Sequence, residues 1–168
     1  MTTATPTEIF ADRVLVIRRI FNAPRRLVYE AWTKKEHLDK WSVPHGFQIP
    51  SSEGEVRPGG RWRCTMLAPN GVEYRVGGTY QEVVADELLS FTHAWEDQKG
   101  IPGHETLVTV RFSSESHKTK LSLKQAIFQT IRSRDSHQGG WTECLECLDE
   151  HLANFASPEA SSRIHEAS

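Results

Sequence analysis

The chain is short of cysteine, of long apolar runs and of any excess of one charge. It has three cysteines among 168 residues. A small, odd number argues against a disulfide framework and for a reducing compartment, so a cytoplasmic setting is expected. No run of about 18 apolar residues is present, so no membrane-spanning helix is expected. Met1 to Asp12 has no apolar stretch of the kind a secretion signal needs. With 20 basic and 22 acidic side chains and a net charge of −2, neither a nucleic acid nor an anionic membrane is an expected partner. Gly59-Gly60 leads into a strand rather than a helix, which argues against a nucleotide-binding fingerprint. No Gly-x-Ser-x-Gly elbow occurs, and no internal repeat or low-complexity tract divides the chain.

What is present is a single domain's worth of periodic segments. A chain of this length buries roughly 70% of its unfolded surface, enough for a real core. Residues 13–156 carry the pattern; 1–12 and 157–168 are expected to be frayed tails. Arg13 to Phe21 is rich in β-branched residues and reads as a strand. Asn22 offers an N-cap and Pro24 a first-turn residue for a helix carrying Leu27, Val28, Ala31 and Trp32. Thr33-Lys34-Lys35-Glu36 reads as a capping box for a second short helix that turns Leu38 and Trp41 inward and stops before Pro44.

Every periodic segment from Phe47 to Phe128 reads as strand. Phe47 to Val56 is weak. Arg57-Pro58-Gly59-Gly60-Arg61-Trp62 is a rigid corner, with proline fixing φ and glycines allowing φ > 0. Beyond it Trp62, Cys64 and Met66 alternate with Arg61, Arg63 and Thr65. Pro69-Asn70-Gly71 turns into Glu73–Val84, where Tyr74, Val76, Gly78 and Tyr80 share a face. Leu89, Phe91, His93 and Trp95 share another, before a polar loop from Glu96 to Gly103. Thr106, Val108, Val110 and Phe112 follow, then Thr119, Leu121 and Leu123, with Lys118, Lys120 and Lys124 on the solvent side. A helix from about Ser136 to Phe155 repeats Trp141, Leu145, Leu148 and Leu152 along one stripe. The order β-α-α-β-β-β-β-β-β-α predicts an α+β fold: a curved antiparallel sheet wrapped around the last helix, with two short helices after the first strand.

Three groups carry candidate chemistry. Trp41, Phe47, Trp62, Met66, Tyr74, Tyr80, Phe91, His93, Trp95, Val108, Phe128, Trp141 and Leu145 face inward; they either line a ligand cavity or pack a solid core, and periodicity does not separate the two. His93, Glu105 and Arg57, with Tyr74, form a polar set suited to acid–base work or to orienting a ligand carbonyl. Alternation puts Glu105 on the face opposite Thr106 unless a bulge reverses it; the other reading pairs Glu105 with Arg57 or Arg61 to pin the corner. Arg61 alternates away from the cavity, which leaves Arg57 as the better ligand contact. Cys144-x-x-Cys147-x-x-x-His151 spans about 60° of a helix but lacks a fourth ligand, so no metal is expected. His37, His45, His104, His117, His137 and His165 share no spacing and are expected in solvent.

The pieces Phe21-Asn-Ala-Pro24, Val28-Tyr-Glu-Ala-Trp32, His37-Leu38, Trp41, Pro44-His-Gly-Phe47, Arg57-Pro-Gly-Gly-Arg-Trp62, Gly78-Thr-Tyr80, Glu105-Thr106 and Gly140-Trp141 occur in order over residues 13–155. In this the chain resembles the SRPBCC superfamily, also called START-like or Bet v-like, which has the helix-grip fold. Within it the chain is similar to bacterial proteins related to the C-terminal domain of the heat-shock-protein-90 ATPase activator. The resemblance implies a cavity between sheet and helix and supplies no metal or cofactor. It implies no single activity, since members are lipid carriers, hormone binders, polyketide cyclases and co-chaperone-like domains. The expected role is binding a small apolar, aromatic or lipid-like molecule, with no enzymatic activity assigned. A cyclase or aromatase using the same cavity and a chaperone-interaction module are the alternatives, and the chain is read as monomer or homodimer.

Overall fold

The β-branched run after Arg13 forms strand β1 (Leu15–Phe21), and the chain then turns through Pro24 into two short helices, α1 (Arg25–Thr33) and α2 (Lys35–Trp41). Six strands follow: β2 (Gln48–Gly54), β3 (Arg61–Leu67), β4 (Glu73–Val84), β5 (Leu88–Trp95), β6 (Thr106–Glu115) and β7 (Lys118–Ala126). Helix α3 (Ile131–Ala156) closes the order. These elements come from a computed structural model that describes residues 13–156. The expected tails, 1–12 and 157–168, and His165 with them, lie outside the described residues.

The strands make one antiparallel sheet in the order β1-β7-β6-β5-β4-β3-β2. Sheet, short helices and long C-terminal helix together are the helix-grip arrangement expected from the element order. Burial divides the sheet into two unequal halves. On β6 and β7 the inward positions Val108, Val110, Leu121 and Leu123 are fully buried and pack with Leu145, Leu148 and Leu152 of α3. On β2 no residue is buried, and on β3 only Cys64 is. The solid core therefore lies under β1, β7 and β6 and reaches Leu89 and Phe91 of β5 and Tyr80 of β4, while the rest of the β2–β5 half is left open toward the short helices.

Helix α3 explains the asymmetry. None of its residues before Cys144 is buried, whereas Cys144, Leu145, Leu148, His151 and Leu152 are. Its last part seals the core, and its first part projects over the open half of the sheet. The helix also begins five residues before the expected Ser136, at Ile131. Thr130 caps it: its Oγ1 accepts the backbone N–H of Ser133 at 3.0 Å. The first turns hold Arg132, Ser133, Arg134 and Asp135 in place of an apolar stripe, so helical periodicity there is silent.

Two expected caps are corrected. Pro24 rather than Asn22 occupies the N-cap of α1, in extended conformation and with no side-chain cap bond. The capping box at Thr33 does not form: Lys34 occupies the N-cap of α2, and Thr33 Oγ1 turns back to the carbonyls of Tyr29 and Glu30 at 3.1 and 3.4 Å. A threonine hydroxyl in the last turn of a helix reaches the carbonyls three and four residues back, and they compete with the next helix's N–H groups.

The Arg57–Trp62 corner is a tight turn whose Gly60 N–H donates to Arg57 O at 2.8 Å, with Gly59 at φ +81°. It locks onto β4 from both directions: Gly59 N–H donates to Tyr80 O, and Tyr80 N–H to Gly60 O, each at 2.8 Å. A Cβ on Gly60 would stand 2.0 Å from Glu55 O, so the second glycine serves close approach rather than positive φ.

Candidate functional site

The open half of the sheet encloses two adjoining spaces. An inner chamber of about 120 Å³ lies between α1, α2 and β2–β5. An outer chamber of about 440 Å³ lies under the first part of α3, against the α2–β2 loop and the ends of β3–β5. Ser42, Met66, His93 and Trp141 border both, so they form the partition between them.

Strand alternation places most of the wall. On β3, Trp62, Cys64 and Met66 face the inner chamber, and Val76 and Tyr80 of β4 and Phe91 and His93 of β5 continue the surface. Trp62 pairs across the sheet with Gly78. With no side chain there, its indole reaches past β4 and donates Nε1–H to Thr92 O at 3.1 Å. A Cβ on Gly78 would lie 1.8 Å from that carbonyl.

Of the inward residues singled out in the sequence, Trp41, Trp62, Met66, Tyr80, Phe91, His93 and Trp141 border the inner chamber. Phe47, Tyr74 and Trp95 border the outer one. Val108, Phe128 and Leu145 border neither and are packed in the core. Arg57 and Glu105 are not brought to either chamber. Arg57 is exposed and pairs with Glu55 across the corner rather than with Glu105. Glu105 precedes β6, with no bulge to reverse it, and borders a polar groove on the outer face with Arg61, Arg63 and Glu96. His93 and Glu105 therefore stand on opposite sides of the sheet and do not converge.

The polar atoms of the wall are bound to the protein itself. Trp141 Nε1–H donates to Gln125 Oε1 at 2.7 Å, Gln125 Nε2 donates to Thr106 Oγ1 at 2.8 Å, and Thr106 donates to His93 O at 3.0 Å. His137, expected in solvent, is partly buried with its ring held at both nitrogens. Nδ1 lies 2.7 Å from Ser133 O and Nε2 2.9 Å from Trp95 Nε1. A carbonyl only accepts and an indole N–H only donates, so Nδ1 donates to Ser133 O and Nε2 accepts from Trp95.

Burial keeps the wall uncharged. It lowers the His93 pKa to about 3, with the neighbouring His137 contributing in the same direction. It raises the Tyr80 phenol to about 12 and the Cys64 thiol to about 11. Charges appear only at one side of the inner chamber. There Lys35 Nζ donates to Asp39 Oδ2 at 2.7 Å and Ser52 Oγ at 3.0 Å, Ser52 donates to Asp39, and Arg63 is held bidentate by Glu96 at 2.7 and 2.8 Å.

Cys144, Cys147 and His151 are not gathered into one ligand set. No group of three metal-type ligands occurs among the described residues. Cys144 is buried with its thiol pKa raised by desolvation, and His151 turns to His37, ring nitrogen to ring nitrogen at 2.8 Å. His37 too was expected in solvent and is buried, because α2 packs it against the C-terminal part of α3.

Several wall residues escaped the sequence reading. Trp32, Leu38, Cys64 and Val76 join the inner chamber, and Pro44, His137 and Cys144 the outer. Trp32 and Leu38 were visible as inward positions on their helices, but nothing local says that those helices cap an open half-sheet.

A family model described as Activator of Hsp90 ATPase homolog 1-like protein matches residues 22–153. No curated protein matches the sequence. Among solved structures, an AHSA1 protein from Silicibacter pomeroyi is 24% identical with a TM-score of 0.77, over 83% of this chain and 97% of that one. A protein from Nitrosomonas europaea is 24% identical with a TM-score of 0.74, over 88% and 98%. One from Chromobacterium violaceum is 27% identical with a TM-score of 0.71, over 82% and 95%.

Proposed function

The chain belongs to the Activator of Hsp90 ATPase homolog 1-like family of the SRPBCC superfamily, and within that family we propose that it binds a small, largely apolar molecule between the sheet and the C-terminal helix. The observation that carries this reading is the pair of aromatic-walled chambers left open where α3 fails to fill the β2–β5 half of the sheet. The outer one has the size of an ordinary ligand pocket, about 300–1,000 Å³. The binding residues on this reading are Trp62, Met66, His93 and Trp141, with Phe47, Tyr74 and Trp95 at the outer side. A catalytic role through His93 and Glu105 has less support: His93 is held neutral and Glu105 lies across the sheet, so these two do not meet in the cavity.

Native mass spectrometry of freshly purified protein tests the reading. The expected spectrum holds a second species heavier by one small organic molecule, which disappears on denaturation and is lost in Met66→Trp, where the added ring fills the partition. Protein that is bare in the spectrum and unmoved in melting temperature by added aromatics or fatty acids would remove it. The family description supports a second reading, activation of the Hsp90 ATPase. Chaperone turnover measured with and without equimolar protein decides that one, and unchanged turnover rejects it.

A further inference from the structure

His93 stands on the partition between the two chambers, and it is the polar side chain there that the protein leaves unengaged. It is 7% exposed. Its ring lies among four others: Trp62 and Trp141 at 5.8 and 6.4 Å, and Trp95 and His137 at 5.5 and 5.7 Å. Trp62 borders the inner chamber, Trp95 and His137 the outer, and His93 with Trp141 both, so the imidazole points off the sheet into the space between them. No hydrogen bond joins either ring nitrogen to another residue among the described residues. Nor is either sealed from water: Trp32 Nε1 is the one buried side-chain nitrogen or oxygen among the described residues that is both sealed and without a partner. The neighbouring polar groups are spent. Trp95 donates to His137, Trp141 to Gln125 and Ser42 to Leu38 O. His137 is held at both nitrogens.

We infer that His93 is the hydrogen-bonding contact for the ligand, and that the ligand is an uncharged aromatic hydroxyl compound whose ring system lies in the outer chamber. The inference rests on the binding role proposed above and names the chemistry of its ligand. The hydroxyl follows from the imidazole. A neutral ring offers one donor and one acceptor nitrogen, and a hydroxyl, which both donates and accepts, meets either. The absence of charge follows from the walls: no Lys, Arg, Asp or Glu borders the outer chamber. Burial and His137 hold the imidazole itself neutral, so a carboxylate would enter with no counter-charge, which is costly in a buried site. The ring system follows from the outer side, where Phe47 meets Tyr74 at 6.4 Å and Tyr74 meets Trp95 at 6.3 Å, a continuous aromatic wall. The chamber's volume of about 440 Å³ is well above the roughly 150 Å³ of an apolar cavity that holds benzene, so it takes more than one ring.

The test titrates the isotope-labelled full chain at neutral pH with β-naphthol, with β-methylnaphthalene, which puts a methyl group in place of the hydroxyl, and with β-naphthoate. β-Naphthol is expected to move the nitrogen resonances of the His93 ring further than β-methylnaphthalene does; equal shifts overturn the assignment. In His93→Phe, which keeps a ring and removes both nitrogens, the bound hydroxyl has no partner. The ratio of naphthol to methylnaphthalene affinity is expected to fall about five- to hundredfold there. An unchanged ratio overturns the assignment of His93 and leaves the binding role standing. β-Naphthoate is expected to bind more weakly than β-naphthol, and binding as tight or tighter overturns the uncharged ligand. If no probe moves the Trp95 indole or the Met66 methyl resonance, the assignment and the binding role both fail. The ring shifts are read in the native chain, so they decide the assignment even where His93→Phe folds poorly.

Discussion

Trp141 and Gln125 are joined by an indole-to-amide hydrogen bond of 2.7 Å. Gln125 is fully buried and spends its amide nitrogen on Thr106. The bond ties α3 to β7 beside the partition between the two chambers, so the angle of the Trp141 ring is set by a side chain in the core. Replacing Gln125 with Met, of similar shape, strands the Trp141 donor and removes a donor from Thr106. A loss of about 2–4 kcal/mol is expected, read as a lower urea midpoint, with Trp141 fluorescence shifting in the folded state. An unchanged midpoint would show that the chain of bonds carries no net stability.

Two glycines of the corner and sheet separate sterics from backbone strain. Gly59 has φ +81° and nothing within 4 Å of a built Cβ, whereas Gly78 would place that atom 1.8 Å from Thr92 O. Gly59→Ala is expected to cost about 1–2 kcal/mol through the left-handed backbone alone. Gly78→Ala forces β4 and β5 apart and displaces Trp62, and more than about 4 kcal/mol is expected. Thermal denaturation of the two variants side by side checks the ranking; equal losses would contradict it.

His93 makes stability depend on pH. Its folded pKa is lowered to about 3 from an ordinary 6.5, mainly by burial. The unfolded chain therefore binds the proton first, and stability falls as pH drops below about 6.5, the loss continuing until about pH 3. At about 1.4 kcal/mol per pKa unit, roughly 2 kcal/mol is expected to be lost by about pH 5. His151, also lowered by burial and by His37, acts in the same direction. Urea midpoints between about pH 7 and about pH 5 are expected to fall less steeply in His93→Gln than in the native chain. Parallel curves would assign the slope to other groups.

The alternation of Trp62, Cys64 and Met66 against Arg61 and Arg63 was legible because side-chain direction in a strand is a local property with a period of two. Alternation alone left Glu105 open between the two faces, because a bulge at the start of β6 would have reversed it; the regular pairing of His93 with Thr106 decides it. The first turns of α3 were not legible, because Arg132 to Gly140 carry no apolar stripe; the Thr130 cap is their only local signal. His37 and His137 were misread as solvated because each is covered by an element far away in sequence, His37 by the end of α3 and His137 by β5. No spacing records such a contact.

The sequence by itself determined the order of elements, the α+β class and the inward face of most strands, because helical and strand periods and turn chemistry act over a few residues. It did not separate Val108, Phe128 and Leu145, which fill the core, from Trp62, Met66 and His93, which border open space; all six are inward and apolar or aromatic-lined. That distinction was decided by where α3 lies. Its buried residues start at Cys144, so it seals the β6–β7 half and leaves the β2–β5 half unfilled. The placement depends on packing between segments more than a hundred residues apart, such as His37 against His151, separated by 114 positions.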